Sequence, residues 1–405
     1  MVINVNVQQL TELRRERGLR IATTCKIIKN EKGWFVPSQS TTKKYLVTFK
    51  EDEAACNCPD FETRGIKCKH IFAVETVITK QADEDTTTLT KTTKMTYSQD
   101  WIAYDKSQTK QKELFMKLLN DLCKMIPQPD YIFGRPKMPL RDMVFASALK
   151  VFTTFSLRRF TTDMQIAKEN GYIQKVPHYS SVALYMENPE LTPIIERLVE
   201  ISSLPLKSVE TNFAIDSSGF SISRYGRWFN FRYRKDTGMR EWVKAHLMIG
   251  VKTNIVTSVE ITDWMTADGP LLPNLVNKTS KNFEIKEVCA DKGYSSRENL
   301  NAINQVGGVP YISFRSSTTG KADGSMFWSK MFHYFMYKHD EFLQHYHQRS
   351  NAETVFHMIK SKFGSAIRSR NPVAQKNEIL LKILCHNICV VIQEMHELGI
   401  SADFN

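Results

Sequence analysis

No apolar run in these 405 residues approaches the ~18 that a membrane span needs. The first residues, MVINVNVQQLTELRRERG, contain no apolar stretch of signal-peptide length, so the chain is expected inside the cell. Cysteine is sparse as well: eight in all, scattered except for three between 56 and 68. In a reducing compartment such a cluster suggests metal rather than disulfides. No internal repeat is found. Acid is in short supply, with 43 acidic against 55 basic residues, a net charge of +12 and a pI near 9.2. That balance favours a polyanionic partner, nucleic acid ahead of an anionic membrane. What is present is enough apolar material, 42% hydrophobic and 11% aromatic, to bury real cores. The length suggests two or three domains.

Residues 18–49 show strand-like runs, RIATTCKIIK, GWFVPS and KKYLVTF, which lead into the cysteine cluster. The Thr-rich stretch 81–100, QADEDTTTLTKTTKMTYSQD, reads as a linker. From about 105 to 205 the pattern is helical, as in a small bundle or helix-turn-helix array. From 211 it becomes TNFAIDSSGF, VKAHLMIGV, NIVTSVEIT, IKEVCADKGY and GVPYISF, short buried-strand runs among helical stretches. That texture is α/β. The amphipathic NEILLKILCHNICVVIQEM closes the chain. The expected division is a module over 1–80, a linker over 81–104, a helical region over 105–205, an α/β domain over 206–370 and a C-terminal helix over 371–405.

CNCPDFETRGIKCKH spaces Cys56-x-Cys58, nine residues, then Cys68-x-His70. Zinc takes four soft or borderline ligands in a tetrahedron, and two short Cys/His pairs supply them. Pro59 fixes the turn after the first pair, and Gly65 lets the chain bend back. The alternative, three buried cysteines and a core histidine, leaves four ligand types within fifteen residues unexplained. The segment resembles a SWIM zinc finger, in which C-x-C and C-x-H follow a hairpin and precede a helix; the family is associated with DNA or protein binding. With no evident open coordination position, the expected Zn²⁺ is structural.

YHQRSNAETVFHMIK, read as a helix over 346–360, has a divided surface. At 100° per residue, Tyr346, Arg349, Glu353 and Lys360 fall within an arc of about 60°. Ala352, Val355, Met358, Ile359 and Phe363 take the opposite side and dock on a core. Two further acids share this unusual context: Asp216 ends TNFAID, and Asp291 ends IKEVCAD. Carboxylates at the ends of neighbouring strands point into one crevice. Three together raise one another's pKa unless cations sit among them. Mg²⁺, held by a few carboxylates, answers this, and two such ions can promote an in-line displacement at phosphorus.

Tyr346-x2-Arg349-x3-Glu353-x6-Lys360 resembles, at every interval, the Tyr-Arg-Glu-Lys signature of a large group of insertion-sequence transposases. FAIDSSGF and ADKGYSS are similar to that group's two aspartate segments. The resemblance covers about 130–395, most strongly 211–365. It implies a ribonuclease-H-like catalytic domain with the triad Asp216, Asp291 and Glu353 holding Mg²⁺ or Mn²⁺, two ions in all. It leaves no room for a large inserted β-domain between the second acid and the glutamate. It further implies DNA transposition in a prokaryotic cell, in the cytoplasm and at the nucleoid, on double-stranded element ends and target DNA, by a homodimer or larger assembly.

Arg349 can contact phosphate or orient the carboxylate, Lys360 can hold a phosphate farther along the DNA, and Tyr346 can donate a hydrogen bond or stack. Alone, the Arg349–Glu353 pair would be an ordinary i,i+4 surface pair. Residues 224–240, RYGRWFNFRYRKDTGMR, have two readings: a DNA track in which Trp228 stacks and Arg232 and Arg234 hold the backbone, or a hairpin with aromatic cross-strand pairs. Lys292 is either a phosphate contact or a solvated lysine. Asp268 reads as an N-cap, Ser295 and Glu298 as a capping box, and Gly293 as the turn after Asp291. Two rivals to the transposase are a ribonuclease-H-like nuclease without strand transfer and a non-catalytic DNA-binding protein that retains the fold.

Overall fold

The computed structural model describes residues 7–25, 27–30, 33–38, 43–50, 53–86, 100–130, 133, 137–222, 232, 242–315 and 317–404. They fall into two compact units.

The first unit draws on the chain up to Tyr97, on Ser316–Gly320 and on Lys330–Asp340. Helix α1 (Val7–Thr24) precedes an antiparallel meander of β1 (Ile28–Asn30), β2 (Gly33–Pro37), β3 (Lys44–Lys50) and β4 (Glu53–Cys56). The hairpin register sets Trp34 opposite Val47, and period-2 alternation buries Trp34 and Val36. Helices α2 (Pro59–Arg64) and α3 (Lys69–Thr86) follow. Gly65 closes α2 in the left-handed region at φ 64°. Gly18 lets α1 approach α3, since a Cβ there would lie 2.5 Å from the Phe72 Cβ. Arg14 ties α1 to Asp60 of α2 at 3.2 Å. Two expectations change. Residues 20–24, read as strand from their β-branched content, belong to α1, where Ile21 is wholly buried. Helix α3 runs six residues into the segment read as a linker, and Asp100 at that segment's end caps the next helix.

The second unit begins with α4 (Trp101–Thr109), α5 (Gln111–Lys124), α6 (Leu140–Thr153), α7 (Thr161–Glu169), α8 (Tyr179–Met186) and α9 (Leu191–Ser202). Then come β5 (Asn212–Ser221), β6 (Trp242–Gly250), β7 (Val256–Asp263), α10 (Leu272–Ser280), β8 (Glu287–Ala290), α11 (Arg297–Gln305) and β9 (Val309–Ile312). Helices α12 (Met326–Tyr337), α13 (His339–Tyr346), α14 (Ser350–Phe363) and α15 (Pro372–Glu397) complete the chain, α12 ending in the first unit. The sheet order is β7-β6-β5-β8-β9, antiparallel from β7 to β5 and parallel from β5 to β9.

Contrary to the expectation that no stretch is apolar enough to span a membrane, helix α15 is so by length and mean hydropathy, its polar residues being interspersed, but here most of it is buried as a core helix. Its polar side chains explain how it fits. Asn387 accepts from the Val256 N–H at 2.9 Å and donates to the Val256 carbonyl at 2.7 Å and to Ser202 Oγ at 3.0 Å. Asn377 donates to the Met186 carbonyl at 2.9 Å, and Lys382 to the Gly364 and Ala366 carbonyls at 2.9 Å. The helix therefore joins helical layer and sheet in one hydrophobic core. Each large side chain it buries contributes about 1.5–3 kcal/mol.

Candidate active site and metal centre

Strands β5 and β8 are buried on both faces, so both read as unbroken apolar runs: Phe213-Ala214-Ile215 and Val288-Cys289-Ala290 are all wholly buried. Their parallel register pairs Ile215 with Ala290, which brings the next residues, Asp216 and Asp291, side by side. Asp291 lies just past β8. Asp216, expected to end its strand, lies within it: antiparallel pairing with β6 continues through Ser221, opposite Trp242. Only the β8 side of β5 opens at Asp216.

Helix α14 packs against β5 and β6 through Ala352, Val355, Phe356, Ile359 and Phe363. Phe356 takes the buried place expected of Met358, which is half-buried. The helix is not continuous from 346: a 3₁₀ turn over His347–Arg349 separates it from α13, whose last residue is Tyr346. The uniform 100° step therefore fails across 346–349 and holds from Glu353 to Lys360. Even so, Tyr346 and Arg349 interact. Arg349 Nη2 lies 2.8 Å from Glu353 Oε1, with the Glu353 side chain 60% exposed. Lys360 turns inward: its Nζ donates to Ser218 Oγ on β5 at 2.6 Å and lies over the Phe220 ring at 5.2 Å.

Burial holds the Asp216 carboxyl above the usual carboxylate range, with Glu353 and Asp291 adding to the rise; the Ser217 N–H and Arg349 oppose it. The Ser217 N–H donates to Asp216 Oδ1 at 2.8 Å. Asp216 therefore feels both other acids and the arginine. Burial likewise pushes the Tyr346 phenol and the Lys360 ammonium toward their neutral forms. A half-buried carboxylate facing two more, offset by one guanidinium, has the oxygen donors and the excess negative charge that suit a hard divalent cation.

The remaining expected residues are placed as follows. Lys292 is exposed in the 3₁₀ turn Lys292–Tyr294. Arg232 is exposed; Trp228 and Arg234 lie outside the described residues. Asp268 does not cap with its side chain. It pairs with Lys244 Nζ at 2.7 Å, with His246 Nδ1 at 3.5 Å. Ser296, not Ser295, caps α11 by accepting from the Asn299 N–H at 3.1 Å, one residue later than the S-x-x-E spacing suggested. Gly293 needs no glycine, since a Cβ there would meet nothing within 4 Å. Sequence reasoning passed over Tyr294 and His246. His246 is wholly buried on β6 opposite Ser217, and burial pushes its pKa down to about 4. Its signal was a histidine inside the otherwise apolar run AHLMIG.

In the first unit Cys58 precedes α2 and Cys68 precedes α3, each carbonyl accepting the first helical N–H groups. The ligand atoms of Cys56, Cys58, Cys68 and His70 are buried and lie within 4.8 Å of one another, the one such group among the described residues. The three carboxylates of the other site are less tightly gathered. His70 Nδ1 is 3.9 Å from Cys56 Sγ and 3.8 Å from Cys68 Sγ. Bonds of about 2.3 Å to sulfur and 2.1 Å to nitrogen in a tetrahedron put those atoms roughly 3.6 Å apart, so the group fits zinc through Nδ1. Hydrogen bonding from Cys56 holds the Cys68 thiol down to about 4, while Cys56 as that donor and Cys58 through burial are pushed up. A divalent cation removes that conflict.

Residues 207–388 match the family model described as the transposase DDE domain, and residues 45–78 that of the SWIM zinc finger. No curated protein and no solved structure matches the chain. The chain carries a DDE transposase domain and an N-terminal SWIM zinc finger.

Proposed function

We propose that this DDE transposase domain cuts phosphodiester bonds at the ends of a mobile element and joins the freed 3′-hydroxyls to target DNA. The observation that carries the reading is the convergence of Asp216 and Asp291, adjacent in register, with Glu353 within electrostatic reach of Asp216. The sheet order, antiparallel on one side of β5 and parallel on the other, supports a ribonuclease-H-like fold. The spacing of Tyr346, Arg349, Glu353 and Lys360 supports the Tyr-Arg-Glu-Lys group.

Asp216, Asp291 and Glu353 would hold Mg²⁺ or Mn²⁺, two ions in all, whose chemistry when bound is to activate the attacking oxygen and neutralise the leaving one. Arg349 orients the Glu353 carboxylate and keeps further N–H groups for a phosphate. Lys360 braces β5 through Ser218, which steadies the strand carrying Asp216. Tyr346, beside Arg349, and Lys292, next after Asp291, are donors for DNA phosphates. Residues 1–80 form the zinc module, 105–205 a DNA-binding helical region, and 206–370 with the 371–405 helix the catalytic domain. Zinc holds the module's short elements together, for DNA or a partner subunit. The +12 charge suits a polyanion, and a homodimer or larger assembly pairs the element's ends at the nucleoid of a prokaryotic cell.

Glu353→Gln tests the reading. The variant should bind end DNA nearly as the parent does and lose cleavage by at least about 10³-fold, deletion of a single catalytic group costing on the order of 10⁴- to 10⁶-fold elsewhere. Cleavage that survives the change would remove Glu353 from the triad.

A further inference from the structure

We propose that the Tyr294 hydroxyl is a positioning donor for the Asp216–Asp291 carboxylate pair, setting their oxygens for divalent cations; this rests on the metal site proposed above. Tyr294 closes the 3₁₀ turn that begins right after Asp291, its N–H donating to the Asp291 carbonyl at 2.9 Å. The side chain is 2% exposed. Its oxygen is buried and makes no hydrogen bond of regular geometry among the described residues, the Ser217 side chain being within reach of a weaker one. An unpaired buried hydroxyl costs about 1–3 kcal/mol, and a phenylalanine would fill the same space without that cost. The tyrosine is also held in place. Asn299, itself buried, donates to the Tyr294 carbonyl at 2.8 Å and to the Gly269 carbonyl at 3.0 Å, locking the turn.

Three carboxylates act on this phenol: Asp268, Asp216 and Asp291. Asp268 is already committed to Lys244 at 2.7 Å, with His246 beside it. Asp216 uses Oδ1 for the Ser217 N–H. Asp268 acts on the phenol most strongly of the three but gives Oδ1 to Lys244, while Asp216 keeps Oδ2 outside its bond with the Ser217 N–H, and Asp291 lies at the start of the same turn. A phenol is protonated at neutral pH, and burial with three acids around it pushes its pKa higher still, so toward a carboxylate this group is the donor. Carboxylates that ligate metals are themselves hydrogen-bonded, and such outer partners set ligand orientation. The hydroxyl, buried in the turn that follows Asp291, is placed to do so.

The test uses the full-length, zinc-loaded chain without DNA, titrated with Mn²⁺ and followed by the loss of the free-ion electron paramagnetic resonance signal. Tyr294→Phe should raise the Mn²⁺ dissociation constant roughly 10- to 100-fold, the usual cost of removing an outer partner. Without metal its melting temperature should equal or exceed the parental value, since the variant loses an unpaired buried hydroxyl, and its affinity for duplex DNA should stay parental. In cleavage assays the Mg²⁺ needed for half-maximal rate should rise in step, with the rate recovering at saturating Mg²⁺. Asp216→Asn should abolish Mn²⁺ binding, and Asp268→Asn should leave it unchanged. Parental Mn²⁺ affinity in Tyr294→Phe, with or without a lowered melting temperature, overturns the proposal if Asp216→Asn still loses the ion. An Asp268→Asn effect equal to that of Tyr294→Phe would assign the hydroxyl to Asp268 and overturn it too. Parental affinity in Asp216→Asn would instead sink the metal site itself, and this inference with it.

Discussion

His386 lies deep in α15, its Nε2 donating to the Asn254 carbonyl at 2.9 Å, and burial pushes its pKa down to about 4. An unfolded histidine titrates near 6.5, so as the pH falls the unfolded chain takes up this proton first. The stability contribution is complete above pH 6.5 and is lost on the way down to 4. Between pH 7.5 and 5 the loss from this one group is about 2 kcal/mol. His386→Gln, which keeps a donor and cannot titrate, should narrow its stability gap to the parent by that amount over the same interval. Urea unfolding of both proteins at the two pH values measures it; a constant gap would mean the imidazole is not depressed. Arg349–Glu353 weighs differently. With the glutamate 60% exposed, such a pair contributes only a few tenths of a kcal/mol, so stability does not account for it. The same pairing was legible from the sequence as an i,i+4 spacing, whereas the inward turn of Lys360 to Ser218 was not, because it depends on a strand 142 residues away.

Among the elements, the zinc module has a small buried cluster among the described residues. Its buried apolar cluster is Ile21, Trp34, Val36, Val47, Ile71, Ala73 and Val74 around three of the ligand cysteines. Domains of this size lean on metals or disulfides for stability. Cys68→Ser should therefore drop the zinc content from one ion per chain to none and open residues ~20–80 to protease, while the transposase domain stays folded. Zinc by atomic absorption and the proteolytic pattern decide it; an unchanged zinc content would remove Cys68 from the ligand set. The spacing made this site legible because all four ligands lie within fifteen residues. The α13–α14 break was not legible. The run 339–363 carries no proline or glycine to mark the 3₁₀ turn at 347–349, and local propensity alone favours one unbroken helix.

Over the whole molecule, charge and core act on different terms. A surplus of 12 positive charges does not specify a fold, but it does set how the protein meets DNA. Contacts to six to ten phosphates cost roughly 10³- to 10⁵-fold in affinity between 50 and 200 mM salt. Binding of the full chain to a random-sequence duplex should fall on that scale, read by fluorescence anisotropy across a NaCl series. A flat response would remove the electrostatic surface from the account. The core binds the second unit into one piece: α15 threads between the helices of 101–202 and the sheet, with Asn387 satisfied by groups from both.

The sequence by itself determined which segments carry the chemistry. The zinc ligands are close in the chain, the strands are apolar runs with a definite period, and an acid closes each of two such runs; all of these are local signals. Only the tertiary structure decided that Asp216 sits within β5 rather than at its end, because the pairing partner on one side stops while the other continues. It alone also buried Tyr294 within the electrostatic reach of both acids and His246 opposite Ser217, and turned Asp268 toward Lys244. Register between strands and the satisfaction of buried polar groups are set by contacts between residues dozens of positions apart, and no spacing along the chain encodes them.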